Sequence, residues 1–358
     1  MAYGTGRAVQ EAEQRVAEFR SLAKADPGTY EPELALALYA LCQELRDTQA
    51  FVTAAFLERC DEAIALHRRL LGTNPASYPQ LGILLGWRGF AEYRRGGHQQ
   101  AVAFLEESVS LLRVVVRRIP GGKFDRQLPR ALALLAYALQ EVQDHAAALS
   151  AARECVSMWR ELDSEPPYDV DGGLVGALHT LCQALQGAGR QRDTLGPAEE
   201  SVAISRVRLA ANPGLDEERL LANGLDLQVA ALVAHERWEE ARAPAVEAVR
   251  LYAHVHRRGD HRGSVNYASA RVNYAILLHH AGQISDAKYE ASMAGMELLR
   301  RARDASDPAG AARVASQLAG LMNDLGMKRR SANFVAKMNA RLQPRPRGRW
   351  RLFSNGRA

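Results

Sequence analysis

The sequence predicts an all-α protein, an α-solenoid of about seven antiparallel helix-turn-helix repeats. Three observations carry that expectation: the composition, a fixed repeat period, and turn residues that fall on the same period. Aromatic residues make up only 6% of the 358 residues, Ala and Leu dominate the apolar fraction, and β-branched residues are sparse. That is the chemistry of thin helices packing through small side chains, not of twisted sheets.

The period emerges when the segments beginning QQAVAFLEE, AAALSAARE, RDTLGPAEE, EEARAPAVE and SDAKYEASM are aligned. Ala101, Ala148, Thr194, Ala241 and Ala287 then share one register, at spacings of 47, 46, 47 and 46 residues. Stepping back by one period reaches Ala55, and stepping forward reaches Ser331 and Ala332. Seven residues beyond these markers stand Glu62, Ser108, Cys155, Ser201, Ala248, Ala294 and Asn339, most of them small. Positions seven apart lie on one helix face two turns along, so small residues at both let a neighbouring helix approach closely. A self-similarity of this kind is the signature of a repeat array.

The punctuation agrees with the period. Gly96-Gly97, Gly189, Gly282 and Gly326 each lie about five residues before a marker, where one helix must stop and the next begin. Between repeats stand ADPGTYEP, GTNPASYP, RIPGGKF, DSEPPYD, ANPGLDE, RRGDHRG and DASDP, in which Pro and Gly with Asp, Asn or Ser serve as helix stops and N-caps. Each repeat therefore reads as a helix A of 15–18 residues, a short turn, and a helix B of similar length.

With these markers, the small residue seven later, the inter-repeat prolines and the small residues Gly89, Ala136, Cys182 and Ala275 of helix A, the chain resembles the tetratricopeptide repeat family, and within it the long-period arrays of actinobacterial regulators. The resemblance spans about residues 31–342. It departs from the family in its longer period, in Leu where an early aromatic is usual, and in Thr194 at a marker. It implies a right-handed superhelix whose A helices line a concave groove. The expected organisation is a capping helix within residues 1–30, a solenoid of about seven repeats over 31–342, and a disordered basic tail over 343–358.

The same totals exclude several classes. The formal charge of +5 is concentrated at the end: ten of the 46 Lys and Arg lie after residue 324 with no acid among them, leaving 36 bases against 41 acids before. The body is thus mildly acidic, and the basic total says nothing of a basic groove. Cys42, Cys60, Cys155 and Cys182 form no CxxC pair and read as buried free thiols of a cytoplasmic protein. No secretory leader and no apolar run long enough for a membrane span is present, and no cofactor is expected. His254, His256, Asp260 and His261 crowd one segment, but their spacing matches no metal motif and four arginines flank them; this reads as a solvated turn. Phosphate-loop and nucleophile-elbow motifs are absent too, so the chain reads as no enzyme.

Helix faces then become the place to look for function. The resemblance puts specificity on the non-core face of the A helices, which includes Tyr93, Tyr137, Gln140, His179, Gln183, Gln186, Asn223, Asp226, Asn273 and Gln317. Amides and phenols there can satisfy the backbone of an extended peptide. A basic residue four before an amide recurs at Arg219/Asn223, Arg262/Asn266 and Arg313/Gln317, which puts both side chains on one face and suggests a grip on an anion. The expected function is a non-catalytic scaffold or regulatory module that binds a protein or peptide in the groove. The alternative is a ligand- or peptide-sensing regulator of transcription or signalling, acting through a partner or through the tail. Six Arg over residues 341–358, with Trp350 and Phe353, suit nucleic acid or an anionic surface, against a plain solubilising terminus.

Overall fold

The computed structural model of the chain describes residues 2–47, 52–74, 77–122, 124–162, 172–260, 263–301 and 308–342. Among them run fifteen α-helices and one 3-10 turn, with no strand: α1 (Ala2–Ala25), α2 (Pro27–Asp47), α3 (Ala54–Leu70), α4 (Ser77–Arg94), α5 (His98–Arg118), α6 (Gln127–Glu141), α7 (His145–Leu162), α8 (Gly173–Gly187), the 3-10 turn Gln191–Thr194, α9 (Leu195–Ala211), α10 (Leu215–Ala234), α11 (Trp238–Arg257), α12 (Ser264–His280), α13 (Ile284–Arg301), α14 (Pro308–Asp324) and α15 (Lys328–Leu342). The even-numbered helices are the A helices and the odd-numbered ones the B helices. Several exceed the expected length, reaching 21 residues in α5 and 20 in α10 and α11. The chain forms two compact units, Met1–Ile204 and Ser205–Ala358, the division falling inside α9.

The markers are the centre of the packing. Each B helix buries a stripe at i, i+4 and i+7: Ala101, Leu105 and Ser108 in α5; Ala148, Ala152 and Cys155 in α7; Ala241, Ala245 and Ala248 in α11; and Ala287, Ala291 and Ala294 in α13, all at most 1% exposed. Thr194, Ala198 and Ser201 continue it across the 3-10 turn into α9. Two ends of the register differ from the expectation. Ala55 is exposed and Phe56 is the buried residue, followed by Cys60 and Ala63, so the first period is one residue shorter. In α15 Ser331, Phe334 and Met338 are buried while Ala332 and Asn339 face solvent.

Small residues let the A helix come close, and the contact becomes polar where a hydroxyl or thiol is available. Ser108 Oγ donates to the Gly82 carbonyl at 2.6 Å, Cys155 Sγ to that of Pro129 at 3.1 Å and Cys60 Sγ to that of Leu84 at 3.5 Å. At Gly89 an added Cβ would lie 2.7 Å from Leu105 Cγ, so that crossing needs glycine. All four cysteines are free and buried. Burial pushes the Cys155 and Cys182 thiols up to about 12, which leaves them inert at neutral pH.

The A-to-B turns repeat with equal fidelity. Gly96, Gly189, Gly282 and Gly326 take φ of 82°, 72°, 76° and 75°, and Gln143 and Glu236 take 64° and 62° at the same register in the two repeats that lack the glycine. Each of the six turns closes with a paired hydrogen-bond pattern. In the first, Gly97 N donates to Glu92 O at 2.9 Å and Gly96 N to Tyr93 O at 3.1 Å; in the fifth-repeat turn, Arg237 N donates to Leu232 O at 2.9 Å and Glu236 N to Val233 O at 3.0 Å. This is the Schellman C-cap, which uses a left-handed residue to satisfy the last carbonyls of a helix.

The outer faces of the B helices carry an ion-pair ladder. Arg20 meets Glu62, Arg68 meets Glu107, Arg113 meets Glu154 and Arg160 meets Glu200 in the first unit, and Arg206 meets Glu247 in the second, at 2.5–2.8 Å. Each Glu lies six residues after its marker, counted from Phe56 in the first repeat, and from Arg68 onward each Arg lies twelve after one. Arg20 of α1 takes the same part, and Ala12 and Val16 of α1 are buried in one core with Leu34, Ala35 and Leu38 of α2. The first helix thus stands where a preceding B helix would.

Two stability outcomes follow. Glu236→Gly and Gln143→Gly should each stabilise by roughly 0.5 kcal/mol, since relief of a left-handed side chain exceeds the entropy glycine gains on unfolding. Urea unfolding in which both variants are weaker than the parent would contradict this. Ala148→Leu and Ala241→Leu should overpack their crossings and destabilise by about 1–3 kcal/mol; unchanged thermal midpoints would show the register to be misassigned.

Candidate functional site

On the A helices one register position, ten residues before the left-handed turn residue, is Gly86, Ala133, His179 and Asp226, and Asn273 and Gln317 stand one residue later, nine before Gly282 and Gly326. Tyr93, Gln140 and Gln186 share another position, and Tyr137 and Gln183 a third. Periodicity of the backbone therefore lines up the sequence candidates by construction, and the side chains decide what they can bind.

In the first unit the candidates are mostly half-buried and partly engaged. Tyr137 Oη accepts from the Thr180 hydroxyl at 3.0 Å, Gln140 Nε2 donates to the Ala136 carbonyl of its own helix at 3.3 Å, and Tyr93 meets His98 edge to face at 5.6 Å. Gln183 and Gln186 are half-buried on α8. His179 differs: it is 7% exposed, with Nε2 2.7 Å from Ser201 Oγ of α9, so it serves the packing of α8 on α9.

In the second unit the candidates join into chains of amides. Asn273 Nδ2 donates to Asp226 Oδ1 at 2.7 Å and Asn273 Oδ1 accepts from Gln317 Nε2 at 3.4 Å, linking α10, α12 and α14. Asn266 Nδ2 donates to Asn223 Oδ1 at 2.9 Å, and the buried Tyr252 hydroxyl donates to the same oxygen. Asn273 is buried, whereas Asn266 and Gln317 are exposed. Of the three basic residues, Arg219 is paired with Asp216 at 3.0 Å and lies 3.9 Å from Asp260, and Arg313 is exposed on α14. Arg262 lies outside the described residues.

Asp226 is the charged member of this network. Burial pushes its carboxyl up to about 6, against the pull of the hydrogen bonds from Asn273 and Ser269. It makes no ion pair among the described residues. At neutral pH the groove-facing amides of the second unit therefore surround one carboxylate that is held with neutral donors only.

The structure adds a site that the sequence reading passed over. A cavity of about 220 Å³ opens on the first unit among α2, α4, α5 and α6. Its walls are apolar, from Ile83, Trp87, Phe90, Leu112 and Leu134, and Arg46 and Arg130 also line it. Trp87 is fixed by stacking on Tyr39 at 5.4 Å and by the Arg46 guanidinium 4.9 Å from its ring centre. The available signal was the register itself: Gly86 is the one glycine at a position that holds a side chain in the other five repeats that share this turn.

No group of three metal-ligating side chains comes together among the described residues. His254 and His256 belong to the last turn of α11, beside Glu218 at 2.5 Å and Glu297 at 3.6 Å respectively. No described helix is long and apolar enough to cross a membrane.

No protein-family model matches the chain, and no curated protein matches it in sequence. Solved structures do match. The apo form of the quorum sensor NprR from B. thuringiensis is 10% identical, covers 95% of this chain and 99% of its own, and superposes with a TM-score of 0.54. The apo form of RapI is 10% identical over 94% of this chain and 96% of its own, with a TM-score of 0.53. Aspartyl phosphate phosphatase F from Bacillus subtilis is 12% identical over 96% and 95%, with a TM-score of 0.50. The chain has the tetratricopeptide-like helical-repeat fold. At these identities the likeness is one of fold.

The Asp226 carboxyl gives a pH dependence with a definite sign. Its folded value near 6 exceeds the unfolded value of 3.8, so the folded state holds the proton between the two. Stability should then fall as pH rises from about 4 to about 6 and stay level above. Asp226→Asn removes that component, so its thermal midpoint should gain on the parent's across this interval; parallel profiles would show an ordinary carboxyl.

Proposed function

We propose that the chain is a non-catalytic binding module whose A-helix face holds an extended peptide or a peptide-like segment of another protein. The observation that carries this reading is the amide chain of the second unit. Asn266 and Gln317 are exposed, and each has amide valences beyond the single bond that ties it to its neighbour. An extended peptide presents donors and acceptors in turn along its backbone, and primary amides can answer both. Because the inner bonds fix the amides in place, less side-chain entropy is lost on binding.

The solved structures lend support. Two others of the same fold are described as NprR in complex with its cognate peptide NprX, at 12% identity and a TM-score of 0.50, and a Rap protein complexed with Competence and Sporulation Factor, at 10% and 0.50. One neighbour is named a phosphatase; here the thiols are buried, and the Ser201 hydroxyl that meets His179 is itself buried in the packing of α8 on α9. The reading therefore has no catalytic step and no cofactor, and places the protein in the cytoplasm, where free thiols persist.

A sensing regulator is the second form of the same reading: occupancy of the face would be reported to a further partner. The basic tail, residues 343–358, lies outside the described residues, and its part in contacting nucleic acid or an anionic surface belongs to this second form.

Peptide display against the purified chain tests the reading. Selected peptides should bind, and Asn266→Ala with Gln317→Ala should weaken them about tenfold or more, two lost hydrogen bonds at about 0.5–1.5 kcal/mol each. If no peptide is enriched, or the double variant binds as the parent does, the A-helix face is not the site.

A further inference from the structure

We propose that the cavity beside Gly86 is a binding site for a single aromatic ring that carries a carboxylate. In the other five repeats that share this turn, the position ten before the left-handed residue, where Gly86 stands, carries a side chain: Ala133, His179, Asp226, Val272 and Ser316. A Cβ built on Gly86 would lie 3.2 Å from Ser108 Oγ, a tight contact to a buried hydroxyl already held by the Gly82 carbonyl, so a side chain here needs Ser108 to give way. Gly86 also lines a cavity of about 220 Å³.

Size and lining fix the ligand class. Pockets for drug-sized ligands span about 300–1,000 Å³, so this one takes a single ring with a short tail. Trp87 and Phe90 supply aromatic walls, and Trp87 is held by its stacking on Tyr39 and by the Arg46 guanidinium over its ring. The charged side chains lining the cavity are Arg46 and Arg130, with no carboxylate among them. Each guanidinium has five N–H donors, so one that is engaged elsewhere can still bind an anion. An apolar pocket with two guanidiniums selects an acid over an amine of the same shape.

Such a group could come from a free aryl carboxylate or from an aromatic residue beside an acidic one in a peptide; the second source rests on the peptide-binding reading. Calorimetric titration of the full chain with 3-phenylpropionate, with 3-phenylpropylamine, and with the capped dipeptides acetyl-Phe-Glu-amide and acetyl-Phe-Lys-amide separates these. The acidic member of at least one pair should bind about tenfold more tightly than its basic counterpart. Gly86→Leu, which fills the space, should abolish that binding. Arg130→Glu, at an exposed residue, should weaken it about tenfold or more, and keeps the test valid if Gly86→Leu fails to fold. Binding of the free acid alone or of the peptide alone supports the site and names its source. Equal binding of acid and amine, binding unchanged in the variants, or no binding of either acid at millimolar concentration overturns the proposal. Failure of both acids to bind, with display peptides that still depend on Asn266 and Gln317, would overturn it while leaving the peptide-binding reading in place.

Discussion

The close crossing of each B helix on its A helix is the constraint from which the rest of the structure follows. It requires small or closely fitting residues at i, i+4 and i+7 of the B helices from α3 to α13, and these are fully buried. Dispersion between many close atoms, not a few large aromatic side chains, supplies the cohesion. Because the crossing sits at a fixed distance after the turn, the turn geometry is fixed as well. The left-handed residue falls five positions before the marker in six repeats, whether or not it is glycine. Gln143 and Glu236 show the strength of that demand: the packing holds two ordinary residues in a conformation they disfavour.

The two remaining helix faces are then free to serve different ends. On the B helices, Arg and Glu at constant offsets join successive repeats at the surface, and partly exposed pairs of this kind contribute at most about 1 kcal/mol each. Their regularity therefore counts more for register than for stability, since a slipped repeat would leave every pair broken. The ladder stops where Met293 and Ala253 replace the Glu and the Arg, next to exposed Tyr289 and Met296. On the A helices no charge rule holds, and the side chains vary from repeat to repeat: a cavity with aromatic walls in one unit, a chain of amides in the other.

Much of this was legible in the sequence because the period constrains small residues and turns together. Ala148 or Ala241 alone means nothing in an Ala-rich chain; five such residues at 46–47 spacing, with glycines five before, can arise only from a repeat. The reading slipped where that coupling loosens. In the first and last repeats, Phe56 and Met338 take the buried positions that Ala55 and Asn339 were expected to mark, each a shift of one residue. In the middle, the turns at Gln143 and Glu236 lack the residue that announces them. The Arg–Glu ladder was visible as Glu followed six residues later by Arg in four B helices, but charges were set aside as solvated. His179 was placed on the open face by register alone, and the structure shows it packed on Ser201.

The A-helix face was legible only as a set of positions, for a physical reason. Register says which residues share a face, whereas binding depends on which side chains already satisfy one another and which space is left over. Arg219 has the position of an anion-binding residue and is already paired with Asp216. Asn273 has the position of a peptide contact and is consumed holding Asp226. Gly86 has no side chain to propose as a contact, yet it lines the cavity that Trp87, Phe90, Arg46 and Arg130 surround. In a repeat protein whose core tolerates almost no variation, a departure from the repeat on the open face is the informative event, and a missing side chain is as much a departure as an unusual one.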